Sequence, residues 1–257
     1  MPTAELRALI ETRVEERLGE RFPAALGWRP RPAAQTAATG VPEVDALTDG
    51  LPRGALTELC GPTSSGRTAL LLSLLAEFTR RQELCALLDA GDCFDPASAA
   101  AAGVELGRLL WVRCGKAASS RQPAAGHKNS DKPLGHLDCA LRAADLVLQA
   151  GGFGLVVLDL GDVPAATARR VPLTSWFRFR RAVEETPAAL LLLTQEALTG
   201  TCAALTLRLA ATASAAPPEL PAHARLLGGF SVAIEVARSA FVRRPGSGRR
   251  TAFTTDL

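Results

Sequence analysis

The stretch GPTSSGRT, residues 61–68, follows the phosphate-loop pattern G-x-x-x-x-G-K-[ST] at Gly61, Gly66 and Thr68 and departs from it at Arg67, where the lysine belongs. In such a loop the glycines let successive backbone N–H groups turn inward around a polyphosphate, at the N-terminus of a helix whose dipole favours anions. The flanks suit that role. ALTELC at 55–60 reads as a short strand, and leucines at 70, 71, 74 and 75 give a helical pattern after the loop. Gly61, Pro62, Thr63, Ser64, Ser65, Gly66, Arg67 and Thr68 are therefore the candidate nucleotide-binding set, with the Thr68 hydroxyl as a candidate magnesium ligand. The competing reading is a Gly/Ser turn between strand and helix. Lysine is a compact point charge and guanidinium a wide planar fork, so the exchange at 67 is not conservative. Binding without hydrolysis is the expectation.

Length and composition bound the rest. A chain of 257 residues with 47% hydrophobic content has enough apolar material for one α/β domain with small additions, and a formal charge of +3 does not by itself argue for nucleic acid. No apolar stretch is long enough to span a bilayer, and the N-terminus, rich in Glu and Arg, lacks the apolar core of a signal peptide, so a cytoplasmic protein is expected. The six cysteines, at 60, 85, 93, 114, 139 and 202, form no C-x-x-C pair and predict reduced thiols. His136 and Cys139 share an i, i+3 spacing that Cys114 or His127 could complete, but zinc sites usually carry two tight ligand pairs.

Residues 4–22 place Leu6, Ile10, Val14, Leu18 and Phe22 four apart, which predicts an amphipathic helix ended by Pro23. A linker follows, giving an N-terminal segment over 1–32 and a core domain over 33–257. Within the core, strands are predicted at 84–88, ending at Asp89, and at 109–113. Residues 116–133 have the composition of a flexible surface insertion. A helix over 137–150 leads to LVVLDL at 155–160. Its Asp159, at the carboxyl end of a strand, is a candidate for orienting magnesium, a capping or turn aspartate being the alternative. A helix at 175–185, a strand at 188–193 ending near Gln195, and strands at 205–209, 230–242 and 251–255 complete the pattern. Such alternation predicts a mostly parallel central sheet flanked by helices, with a C-terminal β-hairpin over 230–257. The hairpin turn RRPGSGRR concentrates Arg243, Arg244, Arg249 and Arg250, for contact with DNA or an acidic partner or simply to keep an exposed turn soluble.

In this order the elements resemble the RecA recombinase core from about residue 39 onward. The stretches that carry the likeness are TGVPEVDALTDGLPRG at 39–54, GPTSSGRT, LLDAGDCFDP at 87–96, LVVLDL, LLLLTQ at 190–195 and FSVAIEVARSAFV at 230–242. The resemblance implies a RecA-like P-loop fold and a site for ATP and Mg. It implies an adenine contact at Asp95, a γ-phosphate sensor at Gln195, and at Arg238 one of two cations that reach a neighbour's nucleotide. It also marks losses. Gly91 stands where active members carry the glutamate that polarises water, leaving Asp92 as the nearest substitute base. Ser98 replaces an adenine-stacking aromatic, and Ala240 replaces the second cation.

Both DNA-binding loops of recombinases are short here: residues 196–202 in one, VPAATARRVPLTS at 163–175 in the other. A short RecA-like chain with these losses resembles the ImuA group, accessory proteins of bacterial translesion synthesis in the SOS response to DNA damage. That likeness implies partners: an inactive Y-family polymerase homologue, a replicative-type polymerase and RecA, with weak DNA contact. The chain is expected to act through protein contacts with weak or no ATP hydrolysis. The alternatives are a DNA-dependent ATPase of recombination or repair, with Asp92 as base, and a switch that binds ATP without consuming it.

Overall fold

The computed structural model describes residues 35–115, 133–184, 186–215, 229–240 and 250–256. The N-terminal helix and linker expected over 1–32, the insertion from 116 to 132, and Arg243, Arg244 and Arg249 lie outside the described residues. Gln35–Leu257 forms one compact unit by itself.

A two-residue strand β1 (Thr36–Ala37), helix α1 (Pro42–Thr48) and strand β2 (Leu51–Pro52) lead into β3 (Ala55–Cys60). Then come α2 (Arg67–Arg80), β4 (Cys85–Asp89), α3 (Pro96–Ala101), β5 (Leu109–Arg113) and α4 (Pro133–Ala150). The chain continues through β6 (Leu155–Asp159), α5 (Ala165–Ala168), α6 (Leu173–Glu184), β7 (Ala189–Thr194), β8 (Leu205–Ala215), β9 (Gly229–Ser239) and β10 (Arg250–Asp256). The eight-stranded sheet runs β10-β9-β8-β3-β7-β6-β4-β5. From β8 to β5 every pairing is parallel, and β8-β9 and β9-β10 are antiparallel.

The central strands are apolar on both faces because helices cover both. Cys85, Leu87, Leu155, Val157, Leu191 and Leu193 point to one layer, where Leu70, Leu71, Leu74, Leu75 and Phe78 of α2 bury their stripe. The alternate residues Ala86, Leu88, Val156, Leu158, Leu190 and Leu192 point to the other, under Trp176 and Phe179 of α6 and the apolar face of α4. Period-two alternation within continuous apolar runs is what a sheet buried on both sides requires.

Several predicted boundaries move. Strand β4 is one residue later than 84–88, and α4 begins at Pro133 rather than 137, proline being well suited to the first helical position. Strand β8 runs to Ala215 instead of stopping at 209, because its far half pairs with β9 rather than with β3. The small residues of that half, AATASA, carry no apolar alternation, so only the partner strand reveals them as a strand.

One buried carboxyl group ties a loop to the middle of this sheet. Glu58, in the middle of β3, is fully buried and accepts hydrogen bonds from Leu198 N (2.6 Å), Thr199 N (3.3 Å) and Thr199 Oγ1 (2.7 Å). The connection from β7 to β8 is thereby tied to β3. Glu58→Ala leaves these donors unsatisfied, and we expect it to lower the unfolding free energy by about 3 kcal/mol; chemical denaturation of the purified chain measures it.

Candidate nucleotide site

Parallel pairing brings the carboxyl ends of β3, β7, β6 and β4 to one edge, with Cys60 beside Thr194, Leu193 beside Asp159, and Asp159 beside Asp89. Ligands of open α/β sheets bind outside this edge, and four of the sequence-derived site residues, Gly61, Arg67, Asp159 and Gln195, meet there.

The loop itself has the backbone its sequence requires. Gly66 adopts φ 90° and Ser64 φ 60°, both left-handed. A Cβ on Gly61 would stand 2.5 Å from both Leu209 O and Ser65 Oγ, so only glycine fits. Pro62, Thr63, Ser64 and Thr68 face solvent, whereas Ser65 and Gly66 are buried. The Ser65 hydroxyl has no hydrogen-bond partner among the described residues. The first N–H groups of α2 have no partner within the helix, by helix geometry. A phosphate fits this cradle.

Arg67 does not point out of the cradle. Only 8% exposed, it turns onto the end of β6, where Nη1 and Nη2 each lie 3.3 Å from the carbonyl oxygen of Gly161. Gln195, the residue after β7, donates to the same oxygen at 3.1 Å. Asp159 Oδ1 accepts the N–H of Gly161 at 2.8 Å. Arg67 Nη1 and Asp159 Oδ1 both lie within 3.0 Å of the point where a Cβ on Gly161 would stand, so guanidinium and carboxylate flank one spot. A divalent cation held between Thr68 and Asp159 would meet that fixed positive charge. The cradle fits a phosphate better than it fits magnesium.

Burial raises the Asp159 carboxyl to about 6; Asp89 and Asp162 add to the rise, and the Gly161 N–H and Arg67 oppose it. Burial, then Asp162, likewise pushes the nearby Cys93 thiol up to about 11.

Two residues proposed from the sequence are engaged elsewhere. Asp92, the candidate base, forms a two-pronged ion pair with Arg113, Nε to Oδ1 at 2.6 Å and Nη2 to Oδ2 at 2.9 Å. That hydrogen bond holds the carboxyl below the usual carboxylate range, which makes it a weak proton acceptor. Asp95 caps α3, accepting from Ala97 N, Ser98 N and Ser98 Oγ, so the serine that stands where the resemblance to RecA implies an aromatic also claims the carboxylate expected to meet adenine. Arg238 pairs in register with Thr206, two residues before Arg208, and so lies along the sheet from the loop rather than at it. Arg250 opens β10 and pairs with Glu235 at 3.2 Å. Among the described residues no cluster of His, Cys, Asp or Glu suits a metal ion, and all six cysteines are free.

Three residues escaped sequence reasoning. Asp89 is buried and accepts from Cys93 N, Phe94 N and Trp111 Nε1, so it builds the loop after β4. Asp162 fills the space beside Gly91: a Cβ there would stand 3.0 Å from Asp162 Cβ and 3.4 Å from its Oδ2. Arg208 lines a cavity of about 380 Å³ with Gly61, Pro62 and Gln195. For Asp89 the strand-end position was a signal. The other two depend on which loops the sheet brings together.

The family described as RecA N-terminal domain matches residues 6–122. Protein RecA of Rickettsia bellii (strain RML369-C) is 30% identical over 148 residues, covering 57% of this chain and 37% of the relative. Protein RecA of Prochlorococcus marinus (strain MIT 9211) is 33% identical over 162 residues, 63% of this chain and 38% of the relative. The fold is RecA-like. The chain spans well under half the length of these relatives, 37% and 38%. Among the described residues of this RecA-like core, no helix is long and apolar enough to cross a membrane.

Two outcomes follow from the geometry. Restoring a glutamate by Gly91→Glu forces Asp162 aside, and thermal or chemical unfolding should show a loss of about 1–3 kcal/mol. Asp162→Ala in the same chain should relieve most of it. Because Asp159 has a raised pKa, the folded chain holds this proton more tightly than the unfolded one, so stability falls as pH rises from about 4 to about 6. In Asp159→Asn that fall, up to about 3 kcal/mol, should disappear from denaturation curves collected across this range.

Proposed function

We propose that this chain is a RecA-like accessory protein of DNA repair, acting through protein contacts with weak or no ATP hydrolysis, in translesion synthesis during the SOS response. Resemblance to RecA over the matched residues supports the repair setting at the coarse level. The observation that carries the reading is Arg67 folded onto the Gly161 carbonyl. The cation that should follow the β- and γ-phosphates is held by protein backbone instead. Position 91 bears no carboxylate, its neighbour Asp92 is neutralised by Arg113, and Asp95 is used as a helix cap. Loss of a general base costs about a hundredfold or more in rate.

The shortened loop between β7 and β8 supports the same reading. Glu58 fastens its backbone at Leu198 and Thr199, whereas pairing of DNA strands calls for a long mobile loop there. The partners that suit this role are a Y-family polymerase homologue, a replicative-type polymerase and RecA, with any DNA contact weak. The cytoplasm is the compartment in which they work.

Gly66, Ser64 and Ser65 still form a phosphate cradle, which favours a second reading, a switch that binds ATP without consuming it. A DNA-dependent ATPase of recombination would need Asp92 or another group as base. In a phosphate-release assay with Mg-ATP and single-stranded DNA, the purified chain should show no turnover above background. Robust DNA-stimulated hydrolysis overturns the proposal. Equilibrium ATP binding separates the other two readings: no measurable binding marks the pocket as unused, and an ATP-dependent change in partner affinity establishes the switch.

A further inference from the structure

Helix α6, LTSWFRFRRAVE, spends its apolar residues on two faces. Trp176, Phe179 and Val183 are buried and account for its packing on the sheet. Leu173 and Phe177 do not contribute to that stripe: they are 57% and 49% exposed. Their four-residue spacing, continued by the exposed Arg181, lays them along one outward line of the helix. Arg178, beside Phe177, is exposed and bridges to Asp145 of α4 at 2.7 Å, and the residue after Asp145 is Leu146, 68% exposed. Arg170, just before the helix, and Arg181 within it have no ion-pair partner among the described residues.

We infer that the outward face of α6, centred on Leu173 and Phe177 and rimmed by Arg170, Arg178 and Arg181, docks an acidic, apolar segment of a protein partner. Large exposed apolar side chains ringed by charge are the anatomy of a protein interface, in which the centre excludes water and the rim selects the partner. The charge fixes the sign. From Arg169 to Glu184 the described chain carries five arginines, of which Arg169, Arg178 and Arg180 are bridged to Glu196, Asp145 and Glu184; Arg170 and Arg181, without an ion-pair partner among the described residues, leave the face positive, so the segment that complements it bears carboxylates around its apolar residues. Nucleic acid fits less well. Two of the three exposed apolar groups, Leu173 and Leu146, are leucines, which offer no ring for base stacking. This inference rests on the accessory reading and names the surface through which that role is exercised.

The test uses the full chain carrying a photo-crosslinking amino acid in place of Phe177, irradiated in DNA-damaged cells, with the attached peptide mapped by mass spectrometry. A control carries the crosslinker in place of exposed Ala102, which follows α3 and so lies with the layer opposite α6. The expected result is attachment at 177 to a protein segment with acidic residues flanking apolar ones. A fluorescent synthetic copy of that segment should then bind the purified chain, and Phe177→Ser or the pair Arg178→Glu, Arg181→Glu should weaken binding at least tenfold. Unchanged circular dichroism and melting temperature show that the variants fold. Attachment to nucleic acid, attachment to a second copy of this chain, or no attachment above the control overturns the inference, as does a segment whose affinity ignores the substitutions. Failure here with ATP turnover still absent removes the docking surface alone; DNA-stimulated turnover removes the accessory reading itself.

Discussion

The carbonyl oxygen of Gly161 is the point on which the candidate site turns. It follows the end of β6, accepts the guanidinium of Arg67 from the phosphate loop and the amide of Gln195 from just after β7, and its residue's N–H is taken by Asp159. Three strand ends are thus fastened to one another through this one residue. Hydrogen bonds from a charged donor are roughly twice as strong as neutral ones, and a buried guanidinium without an acceptor would be costly. The loop therefore closes on the protein itself. The same substitution that removes the lysine supplies a fork wide enough to reach across to the neighbouring strand.

The polar groups around this point share one arrangement: each is engaged by neighbouring protein groups. Asp92 is bound to Arg113, whose guanidinium also lies over the Trp111 ring at 4.7 Å. Asp95 and Ser98 close the first turn of α3, and Asp89 gathers the loop beyond β4 with Trp111. Phe94 packs edge-on against Trp111 at 5.3 Å, completing the cluster. A catalytic carboxylate must be left partly unsatisfied so that it can change partners during reaction, and stability favours satisfying it.

Glu58 extends this account to the opposite flank. A carboxylate buried in a central strand is expensive unless it is met by several donors, and the donors here are backbone groups of the β7–β8 connection. The connection that in recombinases enters DNA is, in this chain, part of the core's hydrogen bonding. Apolar surface left uncovered lies on α6, on the layer opposite α2.

Much of the fold was legible along the chain because it rests on local signals. Continuous apolar runs with turn residues between them announce buried parallel strands, the leucines after residue 68 announce α2, and the glycines at 61 and 66 announce a loop whose backbone only glycine allows. The absence of a carboxylate at 91 and of lysine at 67 was equally open to reading. What Arg67, Asp92 and Asp95 do instead was not, since each finds a partner whose identity depends on side-chain reach as well as on chain position. Asp162 lies 71 residues beyond Gly91 and Thr199 lies 141 beyond Glu58; they meet because the strand order places β6 beside β4 and β7 beside β3. Sequence determined which elements form and which residues stand at 67 and 91, through periodicity and residue chemistry. Only the tertiary structure decided how the remaining polar groups are used, because a hydrogen bond is chosen by distance in space and not along the chain.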